Sequence, residues 1–336
     1  MDKWQENLEK DIFNVTDAGF KALALQVFLF QYENNKIYRQ FCEALHIVPS
    51  SVTSISQIPF LPIQFFKSKN VCSTEFEPAA VFESSGTTGS INSRHLIKDI
   101  GLYEESFNKS FQLFYGDILD YCIIALLPSY LERGNSSLVY MVNDLVKKST
   151  AANSGFYLYD LNKLRQALQE NEYTKTKTLL IGVTYALLDF AYKFPMNLNY
   201  TIVMETGGMK GRRKEITREE VHAQLKNRLG LTDIHSEYGM TELLSQAYST
   251  RNGLFNCPPW MKILVRSADD PFCIMSNGDM TKPCAAGIIN VIDLANIYSC
   301  SFIATDDVGK LYADNSFEVM GRADNSDIRG CGLMIL

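Results

Sequence analysis

The strongest constraint on how this chain can fold is an alternation of short apolar runs with helical patterns, which begins near residue 79. Helices are predicted over 136–148, over 161–168 after the N-cap Asp160, and from the capping-box pattern Thr217-Arg218-Glu219-Glu220. Strand–helix alternation is typical of an α/β fold with a largely parallel sheet. The strand-rich final third indicates an added β subdomain. The predicted strands cover residues 79–83, 122–127, 156–159, 178–182, 201–204, 232–235, 261–265, 287–292, 301–304 and 317–320.

The region before this alternation has a different pattern. Leu23, Val27 and Phe30 recur at helical spacing, so helices are predicted for the first ~45 residues. Residues 58–63 contain two prolines and are predicted to form an extended connector. We therefore expect a helical N-terminal region at 1–78, an α/β domain at 79–321 with a β-rich last third, and a tail at 322–336 that carries Cys331.

Composition limits the classes of partner. The chain is 46% hydrophobic and 21% charged, with a formal net charge of -6, so electrostatics favour neither nucleic acid nor an anionic membrane as the main partner. The charged N-terminus lacks the apolar core of a secretion signal, and the apolar run 122–127 is too short to span a bilayer. We expect a cytoplasmic protein without a membrane anchor. Its eight cysteines form no C-x-x-C pair, which argues against zinc and redox sites.

The segment Glu83-Ser84-Ser85-Gly86-Thr87-Thr88-Gly89-Ser90 is the sharpest local signal for chemistry. Glycines let the backbone N–H groups approach an anion, and the Ser and Thr hydroxyls add donors, so the segment suits ATP phosphates. It is not the G-x-x-x-x-G-K-[ST] loop, because the lysine is missing from the required place. A plain turn is the alternative interpretation.

Three later segments complete a pattern that resembles the adenylate-forming superfamily of acyl-CoA synthetases, peptide-synthetase adenylation domains and luciferases. They are Glu237-Tyr238-Gly239-Met240-Thr241-Glu242, residues 304–309 and residues 321–330. Residues 58–68, 127–138 and 206–213 are similar to the LuxE-like acyl-protein synthetases of bioluminescence-type fatty acid reductase systems. Phenylacetate-CoA ligases are the next most similar family. The resemblance spans nearly the whole chain.

The resemblance implies roles for individual residues in binding ATP and Mg²⁺. The phosphates would be held by Ser84, Ser85, Gly86, Thr87, Thr88 and Gly89. Gly207 and Gly208 would pass the adenine face, Tyr238 would stack on adenine, and Gly239 and Met240 would continue that segment. Thr241 would bind the α-phosphate, Glu242 would hold Mg²⁺, and Asp307 would accept from the ribose hydroxyls with Arg322 assisting. Arg94, Lys98, Lys210 and Arg212 are candidate cations or ordinary surface charges.

The same resemblance implies a particular fold and an acyl acceptor. Full-length relatives continue past a hinge, here at Asp324, into a mobile domain that supplies a lysine, whereas this sequence reaches Leu336. We expect an adenylate-forming large N-terminal domain with a β-rich subdomain, lacking the mobile C-terminal domain. LuxE-like proteins share this short form and pass the acyl group from AMP to a cysteine near the C-terminus. That position matches Cys331, and the receiving partner would be a LuxC-like acyl reductase.

Two alternatives to this function remain. The acceptor could be CoA or a carrier protein with Cys331 idle, or the chain could be a non-catalytic nucleotide- or acyl-binding regulatory subunit. The acid could be fatty or aromatic, and its pocket could include Tyr130, Tyr185, Met204 and Met240. The histidines 46, 95, 222 and 235 lack metal-ligand spacing. His222 is expected on a helix surface, and His235 could line the acyl pocket or be structural.

Overall fold

The computed structural model describes residues 3–84, 91–128, 134–207, 216–275 and 284–323. Its α-helices are α1 (Lys3–Ile12), α2 (Asp17–Asn34), α3 (Lys36–Ala44), α4 (Phe65–Ser68), α5 (Ile100–Tyr115), α6 (Ser137–Lys148), α7 (Leu161–Thr174), α8 (Thr184–Lys193) and α9 (Arg218–Leu229). Its strands are β1 (Leu61–Pro62), β2 (Ala80–Glu83), β3 (Arg94–Ile97), β4 (Cys122–Leu126), β5 (Gly155–Phe156), β6 (Thr178–Gly182), β7 (Thr201–Glu205), β8 (His235–Tyr238), β9 (Ala247–Ser249), β10 (Met261–Arg266), β11 (Cys284–Asp293), β12 (Phe302–Tyr312) and β13 (Phe317–Arg322).

Local capping explains where several helices begin, as the sequence predicted. The Asp160 side chain accepts from the backbone N–H of Lys163 at the start of α7. At the start of α9, the Thr217 side chain accepts from the backbone of Glu220, and the Glu220 side chain accepts from the backbone of Thr217. Helix α9 ends at Gly230, whose φ of 65° lies in the left-handed region that glycine tolerates.

The chain forms two compact units. The first comprises the described residues within 1–107, 239–246 and 257–319, and the second those within 108–238, 247–256 and 320–336. The division into three segments expected from the sequence stays a prediction.

The first unit contains the N-terminal helices and a mainly antiparallel sheet of order β1-β12-β11-β10, with β13 pairing β12. Strand β1 lies parallel to β12, so the connector predicted at 58–63 contributes a short edge strand. Strands β2 and β3 form a separate antiparallel pair. The helices pack on the sheet through aromatic side chains: Phe28 and Tyr38 are buried against Phe302. The predicted helical start and strand-rich final third are confirmed.

The second unit contains a six-stranded sheet of order β5-β4-β6-β7-β8-β9. All neighbouring strands in it are parallel except β8 and β9. Every residue of β4 and β6 is buried, which is expected of parallel strands covered by helices on both faces. The predicted parallel α/β sheet is confirmed. No helix in the described part of the chain is both long enough and apolar enough to cross a bilayer.

Three predictions of local structure were wrong. The strand predicted over 232–235 is β8, His235–Tyr238, because pairing with β7 and β9 carries the extended backbone into the Glu237-Tyr238 motif. The strand predicted to end before Asp306-Asp307 continues to Tyr312, because its pairing with β11 runs as far as Cys284–Tyr312 and overrides the low strand propensity of aspartate. His222 is buried at 7% exposure and is not on a helix surface, because α9 turns it towards the buried carboxylate of Glu205.

Candidate functional site

The β2–β3 pair holds both ends of the hydroxyl-rich segment. Phe82 pairs with His95 and Glu83 with Arg94. Beyond them, the Ser84 N–H donates to the Ser93 carbonyl at 3.1 Å, and the Ser93 N–H donates to Ser84 Oγ at 2.9 Å. Ser85, Gly86, Thr87, Thr88 and Gly89 lie outside the described residues.

His95 connects this hairpin to the Thr241-Glu242 segment of the same unit. Its Nδ1 lies 2.8 Å from the Thr241 carbonyl oxygen and its Nε2 lies 3.0 Å from Oδ1 of Asn296. The ring is 1% exposed. Burial lowers the pKa of His95 to about 4, against the effect of these two contacts. The histidine therefore fixes the backbone at Thr241. His95 itself lies on β3, the strand that follows the phosphate-binding candidate in the chain.

Two side chains, one at the last residue of strand β11 and one three residues beyond it, hold further parts of the 241–245 backbone. Asn296 Nδ2 donates to the Glu242 carbonyl at 2.7 Å. Asp293 Oδ2 accepts from the N–H groups of Leu244 at 2.7 Å and Ser245 at 3.0 Å, and its Oδ1 accepts from Ser245 Oγ at 2.6 Å. Burial raises the pKa of Asp293 to about 6, although each of these hydrogen bonds opposes the rise. The Thr241-Glu242 segment is thus fixed from several sides by buried groups.

Glu242 is compatible with a Mg²⁺ site in which phosphates supply most of the ligands. Among the described residues, no three His, Cys, Asp or Glu side chains gather into a metal cage. Mg²⁺ is commonly bound by one or two carboxylates together with substrate phosphates and water. Glu242 is 5% exposed and its backbone carbonyl is held by Asn296, so the described structure fixes the backbone from which this carboxylate would reach the metal.

Asp307 lies in the middle of β12 and is half-buried. Its N–H donates to Thr305 Oγ1 at 3.1 Å. The adjacent Asp306 carboxylate accepts from Gln64 Nε2 at 2.7 and 2.8 Å. Arg266, buried at 8% exposure, donates to the Thr305 carbonyl at 2.6 Å and also to Asn290. The strand that carries the ribose candidate is therefore fixed at the two residues before Asp307, and Gln64 comes from the 58–68 segment.

Gly207 stands at the carboxyl end of β7 in the second unit. Its φ is +79°, in the left-handed region, and among the described residues, its chain neighbours apart, no heavy atom lies within 4 Å of the place where a Cβ would stand. Its N–H donates to Glu205 Oε2 at 2.7 Å. A left-handed turn at a residue without a side chain fits the close passage of a flat base. Gly208 lies outside the described residues.

Tyr238 ends the neighbouring strand β8 and is buried at 8% exposure. Its ring centroid lies 6.0 Å from that of Phe255. Parallel strands β7 and β8 pair through Glu205 and Ser236, so Gly207 and Tyr238 follow at the same edge of one sheet. The two adenine candidates are brought to adjacent strand ends, as neighbouring carboxyl ends of a parallel sheet require.

A buried cluster surrounds the Glu205 carboxylate at this sheet edge. Thr184 Oγ1 donates to its Oε2 at 3.0 Å, and the Nε atom of Arg218 and the Nε2 atom of His222 lie 3.9 and 3.7 Å from its Oε1. Burial by itself raises the pKa of Glu205, but the interactions with His222, Arg218 and Ser236 outweigh it and hold the pKa at about 2. Glu205 is therefore a carboxylate at all physiological pH values.

Glu237 is a carboxyl of the opposite character. It is 9% exposed, and among the described residues no hydrogen bond or ion pair reaches its side chain. Burial, and secondly the charge of Glu205, raise the pKa of Glu237 to about 8. His235 lies on the same strand, and its Nδ1 is 3.1 Å from the Tyr115 hydroxyl. Burial lowers the pKa of His235 to about 4, with Asp233 opposing, so this histidine is neutral and bonded within the fold.

The remaining candidates belong to separate segments of the chain. Arg94 lies 3.9 Å from Glu83, and the Lys98 ammonium lies 3.7 Å from the Tyr298 ring centroid, so both cations already have partners in the fold. Arg322 ends β13. Gly239 is exposed, and Met240 and Thr241 are half-buried. Tyr130, Lys210, Arg212, Asp324 and Cys331 lie outside the described residues.

The sequence interpretation missed the residues that support the motifs. For His95 the sequence indicates only that it lacks metal-ligand spacing. It predicts no functional role for Asp293, Asn296, Glu205 or Arg218. Glu205 was detectable in principle, because it directly precedes Thr206-Gly207 at the end of a predicted strand. Asp293 likewise follows the predicted strand 287–292. A polar residue at the carboxyl end of a buried strand indicates a possible role in a site, because ligands of open α/β sheets bind at the carboxyl ends of the strands.

Comparison with solved structures shows the fold. The luciferase-like enzyme from the nonluminescent Zophobas morio mealworm superposes with a TM-score of 0.50 at 15% identity, covering 76% of this chain and 60% of that chain. The o-succinylbenzoate CoA synthetase of Bacillus subtilis, solved with its acyl-adenylate intermediate, superposes with a TM-score of 0.50 at 15% identity, covering 73% and 49%. This chain thus spans about half to three-fifths of the length of these structures. The predicted adenylate-forming fold is confirmed.

Comparison of sequences shows the family. Two curated proteins named long-chain-fatty-acid–luciferin-component ligase are each 23% identical to this chain. The Vibrio harveyi protein aligns over 90% of this chain and 84% of its own length, and the Aliivibrio fischeri protein over 93% and 86%. The profile of the family described as acyl-protein synthetase, LuxE, matches residues 12–336. The chain is therefore an enzyme of the LuxE acyl-protein synthetase family.

Proposed function

We propose that this protein activates a fatty or related carboxylic acid with ATP to give an acyl-adenylate and then transfers the acyl group to a thiol, that of Cys331. The observation that carries the proposal is the family match across residues 12–336. The names of the two curated relatives favour a long-chain fatty acid as the substrate. Thr241 in the first unit, and Gly207 and Tyr238 in the second, each have buried supports within their own unit, which is consistent with this chemistry.

The first step needs position and charge neutralisation more than covalent help from the protein. A carboxylate oxygen of the acid attacks the α-phosphorus of ATP, the bond to the bridging oxygen breaks, and pyrophosphate leaves with the electron pair. Thr241 would hydrogen-bond the α-phosphate from a backbone fixed by His95. Asp307 would accept from the ribose hydroxyls, and Gly207 and Tyr238 would hold the adenine. Ser84 and the residues after it would bind the departing phosphates.

Mg²⁺ would be held by Glu242 together with the phosphates, and when bound it would supply neutralising charge for the pyrophosphate leaving group. Glu242 is suited to this because Asn296 fixes its backbone.

In the second step the Cys331 thiolate attacks the acyl carbonyl carbon, and AMP leaves as the carboxyl–phosphate bond breaks. The product is a thioester on the protein. A LuxC-like reductase would accept the acyl group from it. An external thiol, on CoA or a carrier protein, is the competing acceptor, and a regulatory subunit that binds nucleotide without catalysis is the competing class.

The adenylation step is tested by the acid-dependent exchange of labelled pyrophosphate into ATP across a panel of fatty and aromatic acids. We expect exchange with at least one long-chain acid. If the protein binds ATP but shows no exchange with any acid, the regulatory subunit is the correct interpretation.

The acceptor is tested by intact-mass spectrometry after incubation with ATP, Mg²⁺ and the active acid. Cys331→Ser should abolish the added acyl mass while leaving pyrophosphate exchange in place. Cys273→Ser is the matched control, because Cys273 is the exposed cysteine among those described, and it should still acquire the acyl mass. Undiminished acyl-CoA formation by Cys331→Ser would assign the acceptor role to CoA.

A further inference from the structure

We propose that Glu205 is a positioning residue that presets the adenine-binding backbone at Gly207, and that Arg218 couples this carboxylate to the support of Tyr238. This inference rests on the proposed function, because it assigns a purpose to groups that surround the proposed adenine contacts. Glu205 belongs to none of the sequence motifs that indicated ATP binding.

The first observation is the direct bond from Glu205 to the turn. Glu205 Oε2 accepts from the Gly207 N–H at 2.7 Å, across a backbone whose φ at Gly207 is +79°. The Thr206 N–H donates to the Gly182 carbonyl of the neighbouring strand at 3.1 Å. The chain leaving β7 is therefore held at consecutive residues, once by backbone and once by the carboxylate.

The second observation is that Glu205 is itself held in place. Thr184 Oγ1 donates to the same Oε2 at 3.0 Å, and Arg218 and His222 lie beside the other oxygen, Oε1. The residue is 5% exposed. A buried carboxylate is costly unless its oxygens are hydrogen-bonded and its charge is compensated. Oε2 of Glu205 accepts two hydrogen bonds, and the Arg218 guanidinium compensates the charge beside Oε1, so the carboxylate is a fixed anchor for the turn.

The third observation is that Glu205 lies on the same face of the sheet as Tyr238, the other proposed adenine contact. Glu205 is the register partner of Ser236 on β8, so the two side chains share one face of the sheet. Tyr238 comes two residues after Ser236 and lies on that same face. The Arg218 guanidinium lies 5.3 Å from the Phe255 ring centroid, and Phe255 packs against Tyr238. A continuous series of contacts thus runs from Gly207 through Glu205 and Arg218 to Phe255, which packs against Tyr238.

The physical benefit is preorganisation. Binding a base against a backbone that must first be ordered costs the conformational entropy of the residues concerned. A turn already held by a charged hydrogen bond avoids this cost. Removing the charge should weaken nucleotide affinity roughly ten-fold. It should leave the reaction of bound substrates, and hence kcat, nearly unchanged.

The test is isothermal calorimetry of AMP and of ATP·Mg²⁺ with the full chain, combined with pyrophosphate-exchange kinetics. For Glu205→Gln we expect Kd for AMP and the apparent KM for ATP to rise together by about ten-fold, with kcat and the KM for the acid unchanged. Glu205→Asp should keep the charge but shorten the reach to Gly207 and should fall between wild type and Gln.

Glu172→Gln is the matched control. Its carboxylate also accepts from strand β7, at the opposite end, from the N–H of Tyr200 at 3.1 Å and from Thr201 Oγ1 at 2.8 Å. Loss of this carboxylate should lower stability without changing Kd for AMP. If Glu205→Gln does not fold, Thr184→Val removes a single donor to the carboxylate and should raise Kd for AMP a few-fold.

The possible outcomes separate this inference from the proposed function. Equal AMP affinity in Glu205→Gln and wild type, or an equal loss in Glu172→Gln, overturns the positioning role while leaving adenylation intact. AMP binding that depends on Glu205 in a protein without exchange activity supports the inference and refutes the catalytic proposal. A wild-type protein that binds neither AMP nor ATP refutes both.

Discussion

Replacing Glu237 should remove a pH dependence of stability that its buried carboxyl imposes on the second unit. The side chain is 9% exposed, and burial together with the Glu205 charge raises its pKa from an ordinary 4.5 to about 8. For an acid whose pKa is higher in the folded state, stability is greatest below the unfolded-state value and is lost as the pH rises towards the folded-state value. The loss therefore falls in the window between about pH 4.5 and pH 8.

The magnitude follows from proton linkage. With pKa values of 4.5 and about 8 in the two states, this one carboxyl should lower the free energy of unfolding by roughly 2–3 kcal/mol between pH 5 and pH 7. Glu237→Gln cannot titrate, so the difference in unfolding free energy between the variant and wild type should grow by that amount over the same interval. Glu237→Met should show the same growth, although its packing and absolute stability will differ.

The assay is urea unfolding followed by far-UV circular dichroism at several pH values between 5 and 8, for wild type and both variants. Taking differences at each pH cancels the titration of groups that all three proteins share. A difference that stays constant across this range would refute the reasoning, since Glu237 would then have an ordinary pKa. Opposite pH trends in the Gln and Met variants would also contradict the reasoning, because both variants lack the same titrating carboxyl.

The other predictions concern the supports of the site and a helix cap. Gly207→Ala should raise the KM for ATP and lower the free energy of unfolding by about 1–2 kcal/mol, because φ at this position is +79°; exchange kinetics and urea unfolding measure the two effects, and unchanged values contradict the assignment. Asp293→Ala strands the N–H groups of Leu244 and Ser245 and should cost about 3 kcal/mol together with most of the exchange activity; a stable and fully active variant would exclude its role in fixing Thr241-Glu242. Thr217→Ala breaks the capping box of α9 and should cost about 1 kcal/mol in thermal or urea unfolding without changing the KM for the acid.

The regular elements were predictable wherever one local signal dominated. The capping box at Thr217 and the N-cap at Asp160 located two helix starts, because a cap is a contact between residues close in sequence. The apolar runs that form β4 and β6 predicted a parallel sheet, because strands buried on both faces are apolar along most of their length. The end of β12 was missed, because pairing with β11 breaks at an irregularity that contains Asp306 and Asp307 and resumes at Val308, which the low strand propensity of aspartate does not predict.

By itself, the sequence determined the α/β class, the order of the motifs and the membership in a family of acyl-protein synthetases. All three properties depend on local patterns and on the identity and order of residues in the chain. Only the tertiary structure decided that His95, Asp293 and Asn296 converge on the 241–245 backbone, across separations of up to 201 residues. It also decided that Glu205 is a charged anchor while Glu237 is a carboxyl that retains its proton. The reason is physical: identical side chains acquire opposite protonation states according to which donors, charges and apolar groups the fold places around them.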